Sequence, residues 1–162
     1  ATQRCAMLPA MLTTRVVNIT EYVQDIWPLL EAHRRELATH PELMPLEPQL
    51  EVYKQLESQG RLLSVILEHP NAGIVGYSVN IVSQNLHYGS LKVCQNDVVF
   101  VSSSYRSEGG GRHLMRATEL NAANDGGKIM LWHAKQGTAL DRMLKAAPEY
   151  EVQDIVYSRV LR

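Results

Sequence analysis

The spacing of hydrophobic positions changes repeatedly along the chain, and each change marks an element. Thr14 to Ile19 (TRVVNI) is a run of β-branched residues that predicts a short strand. Val23, Ile26, Leu30, His33 and Leu37 then recur at helical spacing, with Thr20 in position to cap. Pro28 interrupts that pattern, so the helix either kinks there or begins there with Asp25 as its cap. Thr39 to Pro48 holds Pro41, Pro45 and Pro48 and reads as a loop into a second helix. Val52, Tyr53 and Leu56 give that helix its apolar side and Gly60 stops it. From Arg61 the period shortens to that of strands. RLLSVILEH, IVGYSVNIVS and KVCQNDVVFVS are separated by the turn signals HPNAG and HYGS, which predicts an antiparallel meander. GGGRHLMRATELNAAN is a helix ended by NDGG, and KIMLWHA reads as a fully buried strand. TALDRMLKAA is a short helix stopped by Pro148, and YEVQDIVYSRVL closes the chain as a strand. The order β-α-α-β-β-β-α-β-α-β predicts an α+β protein with a mixed α/β sheet and helices on its faces.

Composition narrows the function classes. The chain has 162 residues, 45% hydrophobic and 20% charged, which suits one folded domain. Its 16 Lys+Arg against 17 Asp+Glu leave a net charge of −1, so binding to nucleic acid or an anionic membrane is not expected. Cys5 and Cys94 stand far apart, and the six histidines contain no HxxxH or HExxH pair, so neither a disulfide framework nor a metal site is expected. The opening ATQRCAMLPAMLTT is too short and too interrupted by Pro9 for a secretory core. No apolar run approaches the ~20 residues of a membrane span, so the cytoplasm is the default location.

The most informative segment joins a strand to a helix: Val101-Ser-Ser-Ser-Tyr-Arg-Ser-Glu-Gly-Gly-Gly-Arg-His-Leu114. Gly109, Gly110 and Gly111 let the backbone approach a ligand, and the helix start adds free N–H donors and the positive end of a dipole. Together they suit a phosphate or diphosphate, or else form a tight connection and nothing more. A P-loop would need Lys-Ser/Thr where Arg112-His113 stands, and a Rossmann turn would open a parallel βαβ unit rather than follow a meander.

Arg106-Ser107-Glu108-Gly109-Gly110-Gly111 resembles the Q/R-x-x-G-x-G/A pyrophosphate loop of the GCN5-related N-acetyltransferases. Val101-x-x-x-Tyr105-Arg106 resembles the family's V-x-P-x-Y-R, with Ser103 in place of proline, and the order of elements is similar over roughly residues 14 to 161. HRRELATHPELMPLEP and LHY look similar to acetyltransferases often carried by bacteriophages. The resemblance implies an N-terminal extension at 1–13 and a single acetyltransferase domain at 14–162, with acetyl-CoA as acyl donor and no metal. It implies an amine of a small molecule or a protein as acceptor, and leaves a homodimer open. Phe100, Val101 and Ser102 would offer backbone groups to pantetheine. Residues Arg106, Ser107, Glu108, Gly109, Gly110, Gly111 and Arg112 would hold the diphosphate, although Arg112 and Arg116 also suit a solvated helix face.

The Val101 N–H would stabilise charge on the thioester oxygen. Asp97 matches the place of a frequent family carboxylate and would act as base through a water, or else serve as a structural hydrogen-bonding residue. Strand alternation places Gln95, Asp97, Val99 and Val101 on one face and Cys94 on the other, so no covalent intermediate is expected. Where the family shows an Asn and later a Tyr, this chain has Gly137-Thr138 and Leu144-Lys145. His133, or less directly Tyr105, is then the remaining candidate acid, unless solvent protonates the thiolate and His133 is merely hydrogen-bonded. His87 and Tyr88 line the acceptor site or form a polar hairpin tip, and Tyr22 and Trp27 border the acceptor cleft or fill the core. Two other readings remain. One is a non-catalytic CoA-binding or regulatory domain of the same fold; the other is a different nucleotide-phosphate enzyme.

Overall fold

The computed structural model describes residues 11–161, so residues 1–10 of the expected N-terminal extension, with Cys5, lie outside the described residues. The chain forms two units, one ending at Trp132 and one starting at His133. In the first, β1 (Thr13–Val17), β2 (Leu62–His69), β3 (Gly73–Gln84), β4 (Lys92–Val101) and β5 (Ile129–Leu131) form one sheet in that order. The first four are antiparallel neighbours and β5 runs parallel to β4, as a helical crossover requires. The expected meander is present, and its turns are short.

Two helices cover one face. Helix α1 (Val23–Leu37) follows a 3-10 turn at Ile19–Tyr22, and α2 is Leu50–Ser58. Ile66, Tyr77, Val79 and Phe100 point to that side and pack with Ile19 and Ile26, and with Leu29, Leu30 and Tyr53 around them. Their sequence neighbours Val65, Leu67 and Val101 point the other way, against Leu114 and Ala117 of α3 (Gly110–Asn124), joined by Val75, an extra residue on β3 where the β2–β3 register shifts between Leu67 and Glu68. Period-2 alternation thus divides one sheet between two helical layers, each burying a few large aliphatic side chains at about 25 cal/mol per Å².

Several expectations need correction. Of the two alternatives at Pro28, α1 does not begin there with Asp25 as its cap: it starts at Val23 and runs through the proline, with Val23 and Ile26 already buried in the core ahead of it. Thr20 does not cap: its N–H and hydroxyl both donate to the Glu57 carboxylate, at 3.1 and 2.6 Å, which ties α2 to the start of α1. KIMLWHA is not a fully buried strand. Only Ile129–Leu131 pairs, and Ile129 is 38% exposed, because the strand has a neighbour on one side alone.

The second unit contains α4 (Ala139–Ala146). Its start is capped reciprocally: the Thr138 hydroxyl accepts from the Asp141 N–H, and the Gly137 N–H donates to Asp141 at 2.8 Å. Beyond Tyr150 no strand forms among the described residues, and Val152, Ile155, Val156 and Tyr157 are exposed. Alternating apolar residues supply strand-forming side chains, but a strand also needs a pairing edge, and among the described residues none pairs with 151–161.

Candidate functional site

The site begins with a break in the β3–β4 ladder. Val79 faces Val98 while Asn80 faces Asn96, so Asp97 is an extra residue on β4 with no partner of its own. Such a bulge re-aims side chains and resets the alternation. Before it, Cys94 packs with Ala122 on the α3 side; after it, Val98 and Phe100 face α1 and α2, and Val99 and Val101 face α3. Gln95, Asp97, Val99 and Val101 therefore do not share one face, and the expectation of an unbroken period fails at the bulge.

Asp97 is not buried, although it stands inside the apolar run NDVVFV. It is exposed, and it accepts a long hydrogen bond, 3.5 Å, from the Tyr53 hydroxyl on α2. Glu57, four residues after Tyr53 and anchored on Thr20, fixes the roll of α2 that presents Tyr53 to Asp97. Burial, then the Asp97 charge and hydrogen bond, push the Tyr53 phenol above its usual range. Tyr77 of β3 lies below them with its ring buried and its hydroxyl without a partner among the described residues. Burial, and after it the charges of Tyr53 and Asp97, hold its phenol above the usual range as well and so oppose its ionisation. Sequence reasoning missed this pair of tyrosines; the available signal was a tyrosine inside a core strand, since its hydroxyl requires a partner. Cys94 is buried, and burial pushes its thiol up to about 11, so it is a packing residue.

The far half of β4 has an open edge. β5 pairs only with Val93, Cys94 and Gln95, and among the described residues no strand takes over beyond Gln95. Ser102 N–H donates to the Val75 carbonyl at 2.8 Å. Gly76 and Val101 are therefore a non-hydrogen-bonded pair, and both polar groups of Val101 turn away from β3 into the gap. Of the three residues expected to offer backbone groups, Val101 does so. The Ser102 N–H is already used by β3, and Phe100, facing Tyr77, falls on the hydrogen-bonded beat of the same ladder.

After a 3-10 turn at Ser103–Tyr105, the chain enters the glycine loop. Gly109 has φ +79° and stands as the N-cap of α3, a left-handed position that favours glycine. A Cβ on Gly110 would lie 2.7 Å from the Tyr105 carbonyl oxygen, whereas one on Gly111 would meet nothing within 4 Å. Gly110 is thus required by the fold, and Gly111 leaves an open approach to the N–H groups of the first helical turn. Ser107, Glu108 and Arg112 are exposed around this approach. Arg106 is engaged elsewhere, with Val101 and with Glu36 of α1.

The other candidates lie on other segments of the chain. His87 and Tyr88 are exposed at the β3–β4 turn, where their N–H groups donate to Asn85 Oδ1. That turn adjoins the Lys92 end of β4, roughly 17 Å from Asp97 at the rise of a strand. His133 is exposed and follows β5 by two residues, in the second unit. Gly137-Thr138 start α4 and Leu144-Lys145 lie within it. Tyr22 and Trp27 are half-buried, Tyr22 against the core and Trp27 donating to Glu31. No three His, Cys, Asp or Glu side chains group as metal ligands, and no helix is long and apolar enough to cross a membrane, among the described residues.

A bulged fourth strand, an open edge beside a short parallel fifth strand and a glycine turn into a helix together define the fold of the GCN5-related N-acetyltransferases, and solved acetyltransferases share it. An aminoglycoside acetyltransferase from an uncultured soil metagenomic sample, solved with sisomicin, superposes with a TM-score of 0.71 at 19% identity over 93% of this chain and 97% of its own. Aminoglycoside N-acetyltransferase AAC(6')-Iy in complex with CoA gives 0.69 at 18% identity, over 96% and 99%. The ribosomal-protein-alanine N-acetyltransferase of Brucella melitensis biovar Abortus 2308 gives 0.65 at 15% identity, over 94% and 99%. Neither a family model nor a curated protein matches the sequence.

Proposed function

We propose that the chain is an acetyl-CoA-dependent N-acetyltransferase that acts on the amine of a small molecule or protein by direct attack in a ternary complex. The observation that carries this reading is the open edge of β4, which turns the Val101 N–H into a gap between the bulged Asp97 and the glycine loop. Pantetheine would run along that edge, with the diphosphate against the N–H groups beside Gly111. Similarity to an acetyltransferase solved with CoA, and to another solved with the aminoglycoside sisomicin, supports both a CoA donor and an amine acceptor.

In the reaction, Asp97 takes a proton from the acceptor ammonium through a water, helped by its exposure. The amine nitrogen then attacks the thioester carbon, and charge develops on the carbonyl oxygen facing the Val101 N–H. The C–S bond breaks and the thiolate leaves. The nitrogen gives up its second proton to water as the amide forms, and the thiolate, whose thiol has an ordinary pKa near 8.5, takes its proton from solvent. His87 and Tyr88 would touch only an acceptor that extends along β4 toward its first residues.

The experiment is a thermal-shift titration with acetyl-CoA, followed by an amine screen for free thiol release. Stabilisation and release are expected; no shift at millimolar acetyl-CoA would sink the proposal. A second reading, CoA binding without turnover, is favoured by Leu144-Lys145 within α4, where the resembled family carries its tyrosine. Stabilisation without release on any amine would select it.

A further inference from the structure

Arg106 has every nitrogen occupied. Its Nε donates to the Val101 carbonyl at 2.8 Å, and its two terminal nitrogens donate to the two carboxylate oxygens of Glu36, at 2.8 and 2.7 Å. The guanidinium lies over the Phe100 ring, 5.2 Å from its centroid, and His33, one turn before Glu36 on α1, packs on the same ring. A planar guanidinium binds a carboxylate through the same fork it offers to two oxygens of a phosphate. The side chain therefore lies across the edge of β4 where Val101 turns its polar groups into the gap.

We propose that Glu36 is a positioning residue that latches Arg106 over the donor groove, and that acyl-CoA binds by displacing it. This rests on the reading of that groove as the acyl-CoA site. A donor that takes the Val101 carbonyl, or brings its diphosphate to Arg106, breaks contacts already made to the protein. Glu36 thus lowers donor affinity in proportion to what the pair contributes. Both side chains are partly exposed, 34% and 44%, so that contribution is modest, about fivefold in affinity. Breaking the pair also releases the last turn of α1. Arg34 holds the carbonyls of Pro41 and Met44, so the release passes into the following loop.

The test is calorimetric binding of CoA to the wild type and Glu36→Gln, with melting temperatures. A side chain that merely supports the fold would lower both stability and affinity. The latch predicts opposite signs: a lower melting temperature and CoA binding about fivefold tighter. Amide hydrogen exchange of the wild type across residues 33–38 should quicken when CoA is added, and this stands even if the variant does not fold. Equal or weaker CoA binding by the variant, or slower exchange across 33–38, overturns the latch alone. If neither protein binds CoA, the donor-site reading falls and the latch with it.

Discussion

The Tyr77 hydroxyl is buried without a partner among the described residues, a position at which a polar atom costs about 1–3 kcal/mol. Tyr77→Phe removes only that atom and should raise stability by about 1 kcal/mol in urea denaturation; a loss would mean that the hydroxyl is satisfied. Asp97→Asn should lower the Tyr53 phenol toward its ordinary range, read by absorbance titration, because the carboxylate charge that raises it is removed. Burial, the larger cause, remains, so the phenol should stay above 10.0. The same variant should reduce turnover by about a hundredfold or more if Asp97 is the base. The glycines separate fold from binding. Gly110→Ala forces a Cβ to 2.7 Å from a backbone oxygen and should cost about 1–3 kcal/mol. Gly111→Ala points into open space and should keep its melting temperature while losing stabilisation by CoA. The three glycines were legible as a loop; their different duties were not, because packing around Gly110 comes from Tyr105, Leu67 and Val101.

At the scale of elements, the meander and α3 could be read from period and turn residues because local chemistry determines them. The bulge at Asp97 could not. It needs one residue more on β4 than on β3, and NDVVFV is apolar on both faces afterwards, so no polar position marks the reset. The length of β5 and the fate of residues 151–161 were hidden for a related reason: alternation shows what a segment would bury, not which edge is available. The contact between α1 and the glycine loop is likewise long-range, and no spacing joins Glu36 to Arg106. Its hydrogen bonds from Arg106, above all, hold the Glu36 carboxyl below the usual carboxylate range. A depressed acid contributes stability above its unfolded pKa and loses it as pH falls through the folded value. The stability difference between wild type and Glu36→Gln should therefore be present at pH 7 and close below about pH 4. Denaturation curves at several pH values check this, and a difference that persists at pH 2.5 would refute the ion-pair account.

For the whole molecule, the fold is shared with acetyltransferases at 19% identity and below, so architecture persists where the identity of most side chains does not. Chain connectivity has a kinetic consequence. β1 is recruited by β2 from far away in sequence, but β2, β3 and β4 are joined by turns of a few residues and can zip locally. β5 docks only after the crossover through α3 has formed, and then pairs over just three residues. The hairpins should therefore gain protection first in pulse-labelled refolding, with the Val93–Gln95 edge protected last. The gap beside Val101 is the part of that final zipper that never closes. The Val101 carbonyl is held there by Arg106 Nε rather than by a strand, and the N–H beside it turns into the gap, so a molecule presenting an extended amide chain would act, in kinetic terms, as the strand that arrives last.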